Sequence, residues 1–429
     1  MTIASDHNIA SLLQPFQRFG VNLGLARIKK LLANLGNPHH RVPIIHVAGT
    51  NGKGSVCAYL SSILTEAGYQ VGRYTSPHLV DWTERIYLNE QAIAASDLAK
   101  LLEDIKEVID PDAESPTQFE VITAAAWLYF ARSQVDVAVV EVGLGGRLDA
   151  TNVTDSSLVS IITSISREHW QRLGPTIADI AREKAGVLKP NCPAIVGQLP
   201  TEAREVVKAK AEELNCPLTW VQPAQEINLS LKSDNKWAKY QEIMYPLSLQ
   251  GKVQLNNSAL AIAAIQILQQ QGWDIPELAI QTGMNKTRWR GRLQWANWKN
   301  QPMLIDGAHN TAAAIALREY VDTLHKPVVW VMGMLSTKDH EDILEVLLEP
   351  EDELHLVPVP DHSSADPQEL AAIARQICPS LTHCKTYLDV FTALDTAIEK
   401  MQDSSSEKLL VLCGSLYLIG HLFKNSNMN

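Results

Sequence analysis

The stretch IIHVAGTNGKGSVCAYLSSIL, residues 44–64, constrains this chain more than any other. An apolar, β-branched run enters a turn holding three glycines and leaves it through a helical pattern. That order is the unit from which parallel α/β sheets are built. Gly49, Gly52 and Gly54 leave room for backbone N–H groups to close on phosphate oxygens, and the helix N-terminus adds partial positive charge. Thr50 and Asn51 complete the turn. Lys53 supplies a cation for terminal phosphates, and Ser55 or Thr50 a hydroxyl. The strict G-x-x-x-x-G-K-[ST] spacing is not met, because its first Gly falls at Val47 and Lys53 is followed by Gly54. This is a variant loop, and phosphate binding is preferred over an ordinary glycine turn.

Further apolar runs at 135–142, 158–165, 303–305, 328–332 and 409–412 read as buried parallel strands. Helical patterns at 55–67, 119–131, 177–188, 257–271, 311–324 and 367–377 alternate with them. The fold class is therefore α/β, with two or three domains expected for 429 residues. The polar stretch 221–255 lacks a helical period and reads as a β excursion. A new strand–turn–helix series starts after RGRLQWANWKN (290–300), so a break is placed near 297, giving domains 1–296 and 297–429.

Lys and Arg number 37 against 48 Asp and Glu, a formal charge of −11. That field disfavours polyanions, so neither nucleic acid nor an anionic membrane is an expected partner. A small anion must then be held by a local site. Six scattered cysteines form no C-x-x-C pair or disulfide framework. With no leader-like start and no long apolar run, the expectation is an unprocessed cytoplasmic protein, monomeric by default.

Several residues carry candidate chemistry. Glu141 ends an apolar strand, where Mg²⁺ beside a phosphate loop needs a carboxylate; a strand-end salt bridge is the bland alternative. A dinucleotide fingerprint from Gly143 and Gly145 fails because position 148 is Leu. His169 follows the strand 158–165. On its own residues, Lys184 reads as a cation on a solvated helix face. Lys286, Arg288, Arg290 and Arg292 recur at period two, which puts them on one face if the segment is extended. That run is either the local anion site or a charged edge strand. Asn257 and Asp306 can equally be helix caps or polar contacts, and Phe119 a core residue.

Taken together, LGNP, GTNGKGS, TSPHLVDWTERI (75–86), TQFEVITAAAWLYFA (117–131), VVEVGLGGRLDATN (139–152), IAREKAGVLKP (180–190), DGAHN (306–310) and CGSLYLIG (413–420) resemble the folylpolyglutamate synthase/dihydrofolate synthase family of Mur ligases, in family order. The resemblance implies a P-loop-type parallel-sheet ATPase domain followed by a smaller Rossmann-like α/β domain. It implies an ATP-dependent ligase that joins L-glutamate to dihydropteroate or reduced folates through an acyl phosphate, bifunctional by preference. ATP contacts would come from residues 49–55, Asn257, Arg292, Asp306 and His309. Two Mg²⁺ sites would draw on Ser76, Glu141 and His169, with Lys184 carbamylated and Lys53, Lys184 and His169 as the catalytic set. The pteroate would lie against Asn22, Leu23, Gly24, Thr117, Gln118, Phe119, Glu120 and Leu148. Arg167 and Trp170 beside His169, and Arg290 in place of a usual proline, depart from the family pattern.

Alternatives are a ligase of folate extension alone, a cell-wall muramyl ligase and a P-loop GTPase switch. The last requires D-x-x-G and N-K-x-D motifs after the loop, and neither is found.

Overall fold

The structure, a computed structural model, describes residues 6–19, 22–227, 236–403 and 407–426. The first five residues, part of the 221–255 stretch and the centre of the 403–407 loop lie outside the described residues.

The chain forms two units, one of Met1–Ser248 with Gln254–Arg288 and one of Leu249–Val253 with Trp289–Asn429. The break thus falls at Arg288/Trp289 rather than near 297. Strand β12 (Gln294–Trp298) pairs antiparallel with β13 (Gln301–Ile305), and the Gly307 N–H donates to the Gly291 carbonyl at 2.8 Å. Those bonds bind the segment before 297 to the second unit.

In the first unit an eight-stranded sheet runs β4 (Gln91–Ala92), β3 (Ile86–Leu88), β2 (Val71–Tyr74), β5 (Val137–Glu141), β1 (Ile44–Ala48), β6 (Val159–Ile162), β7 (Ala194–Val196), β8 (Leu218–Trp220). All neighbours from β2 to β8 are parallel; β3 and β4 attach antiparallel. The expected β excursion is a separate antiparallel sheet of β9 (Gln225–Ile227), β10 (Lys236–Tyr240) and β11 (Ile243–Leu247).

In the second unit, the order is β12, β13, β17 (Leu409–Cys413), β14 (Val328–Met332), β15 (Glu353–Leu356), β16 (His383–Thr386), parallel except for β12. The runs read as continuous apolar strands are buried along their whole length in β1, β5, β14 and β17. Both faces of these sheets are covered, which is why no alternation is visible in their text.

The four-cation run is not an extended face. Lys286 ends the helix Glu277–Lys286 and pairs with Glu66 at 2.8 Å, Arg288 donates to the carbonyls of Asn285 and Thr287, and the Arg290 guanidinium lies over the Phe423 ring. Helix and turn geometry break the period-two alignment that only a strand maintains.

The phosphate-loop helix, Lys53–Glu66, is buried on nearly all sides from Ser55 to Leu64. It packs on β1, β2 and β5, and against the helix Glu277–Lys286. Gly283 makes that second contact close: a Cβ there would fall 2.5 Å from Ile63 Cα, and the Ser62 hydroxyl donates to the Gly283 carbonyl at 2.8 Å. Gly283→Ala is expected to cost roughly 1–3 kcal/mol through overpacking, read as a lower urea midpoint at unchanged slope.

Candidate active site

The strands β2, β5, β1 and β6 lie side by side and end at one edge. Register places Glu141 beside Val47, two residues before Gly49, and the Val142 N–H donates to the Val47 carbonyl at 2.9 Å. After β2 comes Ser76, whose backbone N–H donates to Glu141 Oε2 at 3.2 Å. After β6, the Thr163 N–H donates to the Ala48 carbonyl, and the Thr163 hydroxyl to the Asn51 carbonyl at 2.6 Å. The ends of neighbouring parallel strands thus bring together residues that lie up to 116 positions apart.

The turn itself is over-determined. Gly49 and Gly52 take φ of 149° and 89°. A Cβ on Gly49 would lie 1.9 Å from Thr163 Oγ1, and one on Gly52 2.3 Å from Asn257 Oδ1. Only glycine fits at both positions, on conformation and on space. Thr50 donates its N–H to the Ser164 carbonyl at 2.7 Å; its hydroxyl donates to the Ser166 carbonyl and accepts from the Ser166 N–H. Thr50 Oγ1 is therefore committed to the loop after β6, which leaves Ser55 as the better hydroxyl. Ser55 Oγ accepts from Gln254 Nε2 at 3.4 Å, and Gln254 Oε1 accepts from Asn257 Nδ2. Asn257 is not a cap: it sits inside the helix Val253–Gln270, buried against the phosphate turn.

Two lysines converge on one carbonyl. The Gly49 carbonyl accepts from Lys53 Nζ at 3.0 Å and from Lys184 Nζ at 2.7 Å, and Lys53 also donates to the Thr50 carbonyl. The solvated-face reading of Lys184 is overturned. In the helix Ile177–Ala185 it shares the inner face with Ile180 and Ala181, and only 5% of it is exposed. Burial, then repulsion from Lys53, pushes its pKa down to about 7 against the attraction of Glu168 and Asp149. Its neutral amine is thus accessible near neutral pH.

His169 lies in the same post-β6 loop, with φ of 51° and its Nε2 3.9 Å from Glu168 Oε1. It stands just before a one-turn helix, Trp170–Leu173. Glu141 is 5% exposed. Among the described residues no three His, Cys, Asp or Glu side chains cluster as a metal cage. The carboxylate of Glu141 with the hydroxyl of Ser76 is instead an oxygen donor pair of the kind that Mg²⁺ supplements with phosphate oxygens and water. The donor set fits.

On the side facing the loop after β5, Gly24 N–H donates to the Leu148 carbonyl at 3.3 Å, joining Asn22–Gly24 to Leu148. Arg27 donates to the Asn22 carbonyl at 2.6 Å and to Glu120. The Phe119 ring lies on Gly143, whose Cβ would fall 2.3 Å from Phe119 Cζ. Thr117 and Glu120 form a capping box around Gln118 and Phe119, with each side chain accepting from the other's N–H. Both are thus engaged in starting the helix Gln118–Arg132. The T-x-x-E spacing was a readable signal for that role.

Asp149, which sequence reasoning passed over, organises the loop. It accepts from the N–H groups of Leu144 and Thr151 and from the Thr151 hydroxyl, which bonds His46 Nε2 at 2.9 Å. Burial raises the Asp149 pKa against those donors and pushes His46 down to about 3.

In the second unit, Arg292, Asp306 and His309 lie close to one another. Asp306 Oδ2 accepts from the Leu293 N–H at 2.8 Å, and a Cβ on Gly307 would lie 2.4 Å from an Arg292 guanidinium nitrogen. His309 Nδ1 is 2.7 Å from the Gly307 carbonyl. Burial raises the Asp306 pKa, while Arg292 opposes it.

The Mur ligase middle-domain model matches residues 47–265, and the model for the dihydrofolate synthetase C-terminal domain residues 292–425. The chain belongs to the folylpolyglutamate synthase/dihydrofolate synthase family of Mur ligases. It is 33% identical to dihydrofolate synthetase of Saccharomyces cerevisiae over 442 residues, spanning 95% of this chain and 98% of that one. A structure of the Escherichia coli enzyme in complex with DHPP and ADP aligns with a TM-score of 0.83 and 32% identity, covering 99% and 98% of the two chains. A bifunctional folylpolyglutamate synthase/dihydrofolate synthase with Mn, AMPPNP and L-glutamate bound aligns at 0.80 and 31%, covering 97% of each chain. The α/β fold class expected from sequence is the one found. Among the described residues no helix is long and apolar enough to cross a membrane.

The lowered pKa of Lys184 has a definite sign. Between about 7 and its ordinary value of 10.5, the unfolded chain binds more protons than the folded one, so this group makes stability rise with pH across that window. Lys184→Met is expected to flatten the rise, measured by urea unfolding at stepped pH in buffers freed of carbon dioxide.

Proposed function

We propose that this protein is an ATP-dependent ligase that joins L-glutamate to the carboxylate of dihydropteroate and of reduced folates. One observation carries the reading: the phosphate turn, Ser76 and Glu141 meet at adjoining ends of parallel strands. The family membership supports the choice of substrates. The acceptor carboxylate attacks the γ-phosphate of ATP in line, giving an acyl phosphate and ADP. The amine of L-glutamate adds to the activated carbonyl, and phosphate leaves as the amide forms.

In this reading the N–H groups of the 49–55 turn and Lys53 hold the phosphates. Glu141 and Ser76 would hold one Mg²⁺, and His169 would serve a second. A bound Mg²⁺ would supply charge neutralisation on the transferring phosphoryl group. Lys184, with its pKa lowered to about 7 so that a neutral fraction is present at neutral pH, is the amine suited to take up carbon dioxide, releasing a proton and becoming an anionic carbamate beside the turn. Asn257 sits behind the turn, and within the second unit Arg292, Asp306 and His309 form a charged group of the kind that suits a nucleotide. Residues 22–24, Leu148 and Phe119 line the pterin side, with Thr117, Gln118 and Glu120 shaping it through the helix cap.

The match of residues 292–425 to a dihydrofolate synthetase domain favours dihydrofolate formation as one of the two activities over chain extension alone. ADP release is expected with L-glutamate and 7,8-dihydropteroate, and with tetrahydrofolate, products being separated by mass; no release with either acceptor overturns the reading. Glu141→Gln keeps an acceptor for the Ser76 N–H but removes the charge. It is expected to lower metal-dependent ADP release by roughly a hundredfold or more, with an unchanged unfolding midpoint.

A further inference from the structure

Arg167 and Trp170, which flank Glu168 and His169, form one unit. The Arg167 guanidinium lies over the Trp170 ring, 4.7 Å from its centroid. Arg167 is exposed, whereas Trp170 is half-buried and packs on the same apolar cluster as Leu23 and Leu144. Its short helix is held by the His169 carbonyl, which accepts from the Arg172 and Leu173 N–H groups, and rests on the glycine loop, where a Cβ on Gly145 would fall 2.9 Å from Leu173 Cδ2. Through the Gly24–Leu148 bond that loop is continuous with residues 22–24. The indole thus directly follows His169 in the chain, shares an apolar cluster with Leu23 and Leu144, and has the Arg167 guanidinium over its ring.

We propose that Trp170 is a specificity-determining residue for the acceptor, an aromatic wall for the aminobenzoyl ring that directly precedes the reacting carboxylate of dihydropteroate. Arg167 is the positioning residue that holds it. The inference rests on the ligase reading above. In a folate acceptor a flexible glutamyl unit separates the ring from the reacting carboxylate, so a rigid aromatic surface next to the reaction centre gains no ring to stack on. The wall thus favours the aryl carboxylate over the γ-glutamyl one. Aromatic pairing is geometric and adds to area burial, while Arg over an indole restricts the ring that must be in place.

The test measures kcat/KM for 7,8-dihydropteroate and for tetrahydrofolate in wild type, Trp170→Ala, Trp170→Phe, Arg167→Ala and the Arg167→Ala/Trp170→Ala double variant. Trp170→Ala is expected to lower the dihydropteroate-to-tetrahydrofolate ratio by about tenfold, mainly through KM. Trp170→Phe is expected to restore most of it. Arg167→Ala is expected to lower the ratio less, and to have no further effect in the double variant. If wild type does not turn over tetrahydrofolate, the dihydropteroate values alone decide, with the same loss and rescue expected. Equal losses on both acceptors, no loss on dihydropteroate, no rescue by Phe, or an undiminished Arg167 effect without the indole overturns the proposal. Wild-type enzyme that releases no ADP with either acceptor overturns the ligase reading instead.

Discussion

The first unit is organised around the approach of the Gly49 backbone to β6. With the Thr163 hydroxyl in the space a Cβ would need, the turn can lie flat across the sheet edge, and its carbonyl becomes the shared acceptor of Lys53 and Lys184. Two lysine amines share one backbone carbonyl inside a chain of net charge −11. The cost of burying the second is relieved by shifting its pKa rather than by an ion pair.

From that contact the rest follows by stitching. Thr50 and Asn51 are tied to Ser164 and Ser166, so the start of the loop that carries Glu168 and His169 is bonded directly to the phosphate turn. Asp149 performs the same service for the loop after β5, binding Leu144 and Thr151 and, through Thr151, the buried His46 of β1. The capping box at Thr117 and Glu120, braced by Arg27, sets where Phe119 meets Gly143. Polar groups that read as ligand contacts in the sequence thus divide into those that frame the site and those left to face it.

Legibility followed local physics. Buried parallel strands were visible as unbroken apolar runs, and Pro367–Ile377 and Val328–Met332 were read to the residue. The short strands β7 and β8 and the antiparallel pair β3 and β4 carry too few residues for any period to register. The Lys286–Arg292 run failed because alternation was assumed for a segment that is helix and then turn. Asn257 invited a cap reading since the helix starts at Val253, earlier than its polar text suggests.

The amino-acid sequence by itself determined the strand–turn–helix at 44–64, the need for glycine in its turn, the α/β layering and the family, because each is written in contiguous residues. Only the tertiary structure decided that Lys184 is buried, that Thr50 is spent on a neighbouring loop, that Asp149 anchors the glycine loop and that Arg167 covers Trp170. The first two facts depend on which strand ends become neighbours, in a sheet order β2, β5, β1, β6 that is not the chain order, and the last two on the backbone course of loops that carry no period. A pKa or a hydrogen bond set by residues more than a hundred positions away has no local signature to read.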